Sequence, residues 1–191
     1  MYNDFDEELF QRRITAKELF RAYNKTEDED VEQRKEIMRQ LFQKVGKRVW
    51  IEPDFKCEFG KNITIEDDVY INFGYVILDC AEVTIGSHTL FGPNIGLYPV
   101  HHAIDAKERI NGGCCGKPIR IGKNVWLGGD VKVLAGVTIG DNSIVGTGSI
   151  VTKDIPSNVV AAGNPCRVIR EITEADKTDY LERLLKQNPL V

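Results

Sequence analysis

The chain has 191 residues, 42% hydrophobic and 28% charged, which suits one domain with short attachments and excludes a disordered chain. No apolar run approaches the ~20 residues that span a bilayer, and a formal net charge of -4 gives no general attraction to nucleic acid. The acidic start, Met1 to Glu8, lacks the basic-then-apolar pattern of an export signal, and five cysteines without a CxxC pair suit reduced thiols, so a cytoplasmic protein without disulfides or membrane contact is expected.

The first 45 residues are rich in Glu, Lys, Arg and Gln, carry apolar residues at helical spacing, and contain neither Gly nor Pro. Two helices are expected there. Thr26-Glu27-Asp28-Glu29 reads as a capping box opening the second, Val31, Met38, Leu41, Phe42 and Val45 form its apolar side, and Gly46 ends it. The pair, within residues 1–52, is expected to lie on the main body as a helical cap.

From Phe59 the apolar period becomes six: Phe59, Ile65, Ile71, Ile77, then, after a slip of two residues, Ile85, Phe91 and Leu97. A second run is unbroken through Ile121, Leu127, Val133, Ile139, Val145 and Val151. Gly or a small residue often follows, and four positions on stands a small or β-branched residue: Val69, Thr89, Ile95, Val125, Val131, Val137, Ser143, Ser149. A six-residue unit with one inward aliphatic and a turn makes one flat side of a coil, and three sides close it. Coils stacked at the ~4.8 Å spacing of paired strands line the aliphatics into one core, giving an all-β parallel β-helix over 53–172. A β-sandwich of short strands shares the glycines but does not predict an unbroken period of six.

Between Leu97 and Ile119 the repeat is interrupted, over about 98–118. An excursion of about twenty residues in a compact repeat points to function. After the repeat, Thr173-Glu174-Ala175-Asp176 with Tyr180, Leu181, Leu184 and Leu185 reads as a short capped C-terminal helix within 173–191.

Three groups of residues offer chemistry: a candidate base, a donor for developing negative charge and a basic set for an anionic carrier. His101 and His102 open the excursion, Asn72 offers an amide from the coil wall, and Thr152-Lys153, Arg167 and Arg170 gather late in the repeat, where they suit phosphates. Plainer readings stand beside these: solvated histidines, a turn-satisfying Asn72, a solvated basic face, and an inert Cys114-Cys115 pair.

The runs Ile119-Arg120-Ile121-Gly122-Lys123-Asn124-Val125-Trp126-Leu127-Gly128, Gly136-Val137-Thr138-Ile139-Gly140-Asp141-Asn142-Ser143, Val151-Thr152-Lys153-Asp154-Ile155-Pro156 and Ala162-Gly163-Asn164-Pro165-Cys166-Arg167-Val168-Ile169, with Tyr23-Asn24 and Glu52-Pro53, resemble the maltose and galactoside O-acetyltransferases, the nodulation acetyltransferase group. The resemblance implies a left-handed coil, a homotrimer with acetyl-CoA bound between subunits, and direct acetyl transfer to a small sugar by a histidine base. It places that base at His102 rather than His101, and the amide beside the acetyl group at Asn72. It places the coenzyme contacts at Gly129, Thr147, Thr152, Lys153, Arg167 and Arg170, with Trp126 close by. Its sugar contacts fall on Asp4, Glu58, Asn72, Cys80 and Cys114, with Asp79 keeping a carboxylate in that region; no metal is expected. Departures from the family pattern lie at Pro99-Val100-His101, Ala103, Cys80 and Cys114, which bear on acceptor identity more than on acetyl transfer. Two rivals remain: a zinc hydratase of the gamma carbonic anhydrase type, for which His88, His101 and His102 are the available histidines, and a non-catalytic β-helix scaffold.

Overall fold

A computed structural model describes residues 2–3 and 6–187. Helix α1 (Glu7–Tyr23) is opened by Asp6, whose carboxylate accepts from the Leu9 N–H at 3.1 Å. Helix α2 (Val31–Leu41) follows. The expected capping box at Thr26 does not form. Thr26 instead donates its hydroxyl back to the Tyr23 carbonyl at 2.7 Å, and α2 begins after Asp30. The reason is that Thr26 also accepts from the Arg34 Nε, which turns its oxygen away from the helix start. Nor does Gly46 end α2, which stops at Leu41; Phe42 is already extended and Lys44–Val45 is a strand.

The rest is a three-sided prism of parallel strands. The first face holds Lys44–Val45, Ile63–Ile65, Val83–Ile85, Ile119–Ile121 and Thr138–Ile139, closed by a bridge from Ile139 to Ile155. The second holds Trp50–Ile51, Tyr70–Ile71, Leu90–Phe91, Trp126–Leu127, Ile144–Val145 and Val159–Ala162, with Arg167–Glu171 added antiparallel. The third holds Phe55–Cys57, Tyr75–Ile77, Gly96–Tyr98, Lys132–Leu134 and Ile150–Val151. Register steps by 20 residues from Lys44 to Thr64 to Thr84, and by 18 from Arg120 to Thr138. The pure hexapeptide period therefore holds only in the second half.

The inward residues are those of the six-residue pattern, and Ile65 through Val151 in both runs are at most 3% exposed. The start of the pattern differs from the sequence reading. Pairing begins at Lys44 and Val45, so an earlier coil runs through Val45, Ile51 and Cys57. Cys57, not Phe59, is the inward partner of Ile77. Phe59 lies two residues further on, in a corner that carries two extra residues just as the corner after Ile77 does. An aromatic falling by chance on the six-residue phase concealed the first of these two slips. The second positions, Val69 through Ser149, are buried as expected, and the polar ones are satisfied: Thr89 donates to the Gly122 carbonyl, Ser143 to that of Pro156 and Ser149 to that of Gly146.

A stack of coils leaves an open strand edge at its base, a surface that invites pairing unless covered. The helices cover it. Ala16, Phe20, Ile37, Met38 and Leu41 close the apolar end, and Asn24 takes both backbone groups of Phe55, donating Nδ2 to its carbonyl at 2.8 Å and accepting its N–H at 3.0 Å. Tyr23 donates its hydroxyl to the Ile51 carbonyl at 2.7 Å, and burial pushes that phenol up to about 12, so it stays a donor. Gly60 adopts φ +72°, and any Cβ there would meet the Leu41 carbonyl at 2.5 Å, which is how α2 comes so close to the first coil.

Inside the prism an aromatic column runs Phe42, Phe55, Tyr75, Phe91, with centroids 5.5, 6.3 and 5.4 Å apart. The Tyr75 hydroxyl is fully enclosed and has no partner among the described residues. A buried hydroxyl without a partner is a standing cost, so Tyr75→Phe is expected to stabilise the protein by about 1 kcal/mol. The check is a rise in thermal midpoint at fixed protein concentration; a fall would mean that the hydroxyl is engaged.

Past the prism, the Thr173 capping box forms with Asp176 but caps only a single 3₁₀ turn, Glu174–Asp176. The excursion contributes helix α3 (Ala106–Ile110), and the terminal helix α4 (Tyr180–Gln187) starts later than expected, after Asp179 at φ 50°. Among the described residues no helix is long and apolar enough to cross a membrane.

Candidate active site

The prism has three edges, and most of the candidate residues fall on two of them, while Trp126, Arg167 and Arg170 belong to strands of the second face. The edge between the second and third faces carries Asn72, then Gly92, Gly128-Gly129 and Gly146-Thr147 in successive coils. Gly92 and Gly128 on this edge leave no room for a side chain because the coils press together: a Cβ on Gly92 would meet the Gly129 nitrogen at 2.6 Å, and one on Gly128 the Thr147 nitrogen at 2.7 Å. The Asn72 side-chain oxygen accepts the Phe73 N–H at 2.8 Å, and its Nδ2 donor has no partner among the described residues. Trp126 stands on the adjoining second face, 52% exposed, in an outward row with Trp50, Tyr70, Leu90 and Ile144.

The edge between the third and first faces carries Glu58, Asp79, Cys80, the excursion, and Thr152-Lys153. The excursion is a hairpin, Val100–His102 against Gly113–Gly116, with Tyr2–Asn3 added as a third antiparallel strand. His102 pairs with Cys114, and Cys114 pairs on its other side with Tyr2, so the amino-terminal strand lies one strand from the histidine. Alternation puts His101 and His102 on opposite faces of the hairpin. The two rings differ in their engagement. His101 Nδ1 lies 3.2 Å from the His102 carbonyl oxygen, whereas the His102 ring is exposed and has no partner among the described residues. Cys114 is 2% exposed and points its thiol at the His101 carbonyl, 3.7 Å away.

Asp79, expected near the sugar, is fully buried. Its carboxylate accepts the N–H groups of Glu58 and Phe59 at 2.9 Å each and of Asn62 at 3.3 Å, so it fastens one wide corner to the next. Burial pushes its carboxyl up from the ordinary value, against the opposing pull of those N–H groups. The Asp79 carboxylate is thus engaged with backbone N–H groups, among them that of Glu58. Asp79→Ala leaves three corner amides unpaired and is expected to cost roughly 3 kcal/mol. Denaturant unfolding beside the unmodified protein measures the loss.

Arg13 is a residue that the sequence reading missed. From α1 its Nε donates to Glu58 Oε1, and the guanidinium groups of Arg12 and Arg13 lie 5.1 and 5.2 Å from the Phe59 ring centroid. No local signal marks this pair, since 45 residues separate the partners.

The basic set is dispersed. Lys153 is exposed at the edge between the third and first faces, and Arg167 and Arg170 lie on the exposed strand Arg167–Glu171. Arg170 makes a forked pair with Asp176, at 2.8 and 2.7 Å, which holds that carboxyl down at about 2. Its guanidinium is therefore already committed within the chain. Arg167 donates Nη1 to the Cys166 carbonyl at 2.8 Å. Asp4 lies outside the described residues. The third histidine, His88, belongs to the remaining edge, with Nδ1 3.6 Å from Asp68 Oδ2, so the three histidines do not converge within one chain. Among the described residues no group of three His, Cys, Asp or Glu is placed to hold a metal ion.

Residues 1–46 match the maltose acetyltransferase hexapeptide capping motif, and residues 118–153 match the bacterial transferase hexapeptide of six repeats. The chain is 45% identical over 186 residues to the galactoside O-acetyltransferase of Escherichia coli strain K12, covering 95% of this chain and 90% of that one. Among solved structures it is similar to a galactoside acetyltransferase in complex with coenzyme A, with a TM-score of 0.89 at 45% identity over 92% of this chain and 88% of that one. It is similar also to a maltose O-acetyltransferase from Clostridium difficile 630, with a TM-score of 0.88 at 44% identity over 91% and 92% of the two chains. Hexapeptide repeats of this kind imply the left-handed sense of the coil.

Proposed function

The chain belongs to the maltose and galactoside O-acetyltransferase family of hexapeptide-repeat acyltransferases, and on that footing we propose that it transfers acetyl from acetyl-CoA to a hydroxyl of a small sugar, with His102 as the general base. The observation that carries this reading is the match across nearly the whole chain to an acetyltransferase holding coenzyme A, joined to a histidine whose ring is left unengaged at the mouth of the excursion.

His102 removes the proton from the sugar hydroxyl as its oxygen attacks the thioester carbonyl. The carbonyl oxygen takes up negative charge, and the unused Nδ2 of Asn72 is the donor suited to it. Collapse of the tetrahedral species expels the coenzyme A sulfur, which recovers the proton from His102, and the sugar leaves as its acetyl ester. Gly129, next to the small Thr147, lets the pantetheine arm lie against backbone, beside Trp126. Thr152, Lys153, Arg167 and Arg170 serve its phosphates, Arg170 by exchanging Asp176 for phosphate or by using its remaining donors. Glu58, held by Arg13, lies on the acceptor side with Cys80 and Cys114, Asp79 positions it, and Asp4 is assigned to the same acceptor.

Asn72 and His102 lie on different edges of one prism, separated by the third face. At ~3.3 Å per residue such a face is about 15 Å wide, too far for both to touch one acetyl group. The site is completed when the Asn72 edge of one subunit meets the His102 edge of the next. Such a contact is heterologous and closes as a ring, for which we propose a homotrimer.

The test is release of coenzyme A from acetyl-CoA by the purified protein across a panel of mono- and disaccharides. Sugar-dependent release is the expected result. Binding of coenzyme A without release on any sugar would leave the acceptor class wrong, and failure to bind coenzyme A in calorimetry would favour a scaffold that has lost catalysis.

A further inference from the structure

Beneath α2, away from both edges of the proposed catalytic site, runs a cleft of two adjoining parts, about 300 and 600 Å³, which share Lys35, Met38, Arg48 and Val49. Its inner wall is apolar and aromatic, formed by Met38, Val49 and Trp50. Its rim is cationic, with Lys35, Lys44, Lys47 and Arg48. The one carboxylate in the lining, Asp67, is already accepting the Lys47 N–H at 2.7 Å. Lys35 and Arg48 have outward partners in Glu32 and Asp68, but Lys44 and Lys47 have no ion-pair partner among the described residues.

The second observation is Arg34, which also lines the cleft and is only 3% exposed. Its guanidinium lies between the Tyr23 and Trp50 rings, with centroids at 5.7 and 5.0 Å. Nε donates to Thr26 Oγ1 and Nη2 pairs with Asp28 at 3.0 Å, but Nη1 is buried with no acceptor. Asp28 offsets the Arg34 charge, but a buried N–H group without an acceptor is costly, and an anion oxygen seated against Nη1 supplies the acceptor it lacks. Lys35 and Arg48 are already paired, which leaves Lys44 and Lys47 as the cations at the mouth unpaired among the described residues, suited to a multiply charged anion.

We infer that this cleft is a second anion-binding site that takes a small phosphate compound, with Arg34 as the buried donor and Lys35, Lys44, Lys47 and Arg48 as the charged mouth. The inference does not depend on the acetyl-transfer reading, since none of these residues belongs to the two edges that carry it.

The chain has two tryptophans, so in a Trp126→Phe background Trp50 reports on the cleft alone. Inorganic pyrophosphate is the probe. The expected result is a saturable change in Trp50 emission that is about tenfold weaker in affinity after the double reversal Lys35→Glu with Lys47→Glu, and unaltered by Lys153→Glu. The neutral pair Lys35→Gln with Lys47→Gln, at an unchanged unfolding midpoint, separates loss of binding from loss of fold. An emission that does not change with pyrophosphate, or an affinity that survives both double variants, overturns the proposal. So does one abolished by Lys153→Glu alone, which would assign the ion to the coenzyme region.

Discussion

His102→Ala lowers kcat for sugar acetylation by about 10²- to 10⁴-fold, the usual loss on removing a general base, while the KM for acetyl-CoA changes little. His101→Ala, made alongside, changes kcat by no more than about threefold, because its ring faces the other side of the hairpin and is engaged with the His102 carbonyl. The contrast matters because the two residues are neighbours with the same chemistry, and only strand alternation separates their roles. Near-normal turnover in His102→Ala, or a large loss in His101→Ala, would remove the mechanism proposed for this site. Both variants lie on an exposed hairpin outside the prism core, so equal unfolding midpoints are expected and the kinetic loss can be read as chemistry.

The second large effect is a recovery. Asn72→Ala is expected to lose about 10²- to 10³-fold in kcat, the scale seen when an oxyanion donor is removed. When Asn72→Ala and His102→Ala subunits are mixed in equal amounts, unfolded and reassembled, about a quarter of the interfaces in a closed ring pair an intact Asn72 edge with an intact His102 edge. Activity should therefore rise from the background of either variant to about a quarter of the unmodified level. If both residues served one site from the same subunit, every subunit in the mixture would remain defective and nothing would be regained. Sedimentation of the unmodified protein supplies the companion measurement, with a mass of three chains expected.

The repeat was legible in the sequence because each inward position of a coil is chemically alike and recurs at fixed spacing. Ile121, Leu127, Val133, Ile139, Val145 and Val151 announce their own burial, and the second positions from Val69 to Ser149 announce theirs. The excursion and its histidines stood out because they interrupt that period. Less legible were the features that break the period while keeping its apolar character. Phe59 mimicked a repeat position and hid both the first coil, which starts at Lys44, and the first wide corner. The Thr26 capping box failed because its hydroxyl had a second suitor in Arg34, eight residues on.

What the sequence by itself determined is the prism, the interruption at 98–118 and the chemical inventory of the candidate site. These follow from local spacing and from residue type, and neither depends on what a side chain meets after folding. Only the tertiary structure decided that the Asp79 carboxylate fastens two corners, that Arg13 reaches Glu58 across 45 residues, and that Arg170 is committed to Asp176. It decided too that Asn72 and His102 stand on separate edges, since the edge a residue occupies depends on how many residues each corner absorbs. A hydrogen bond or ion pair between distant segments leaves no periodic trace in the chain, because it satisfies a particular donor and acceptor rather than a repeating demand for burial.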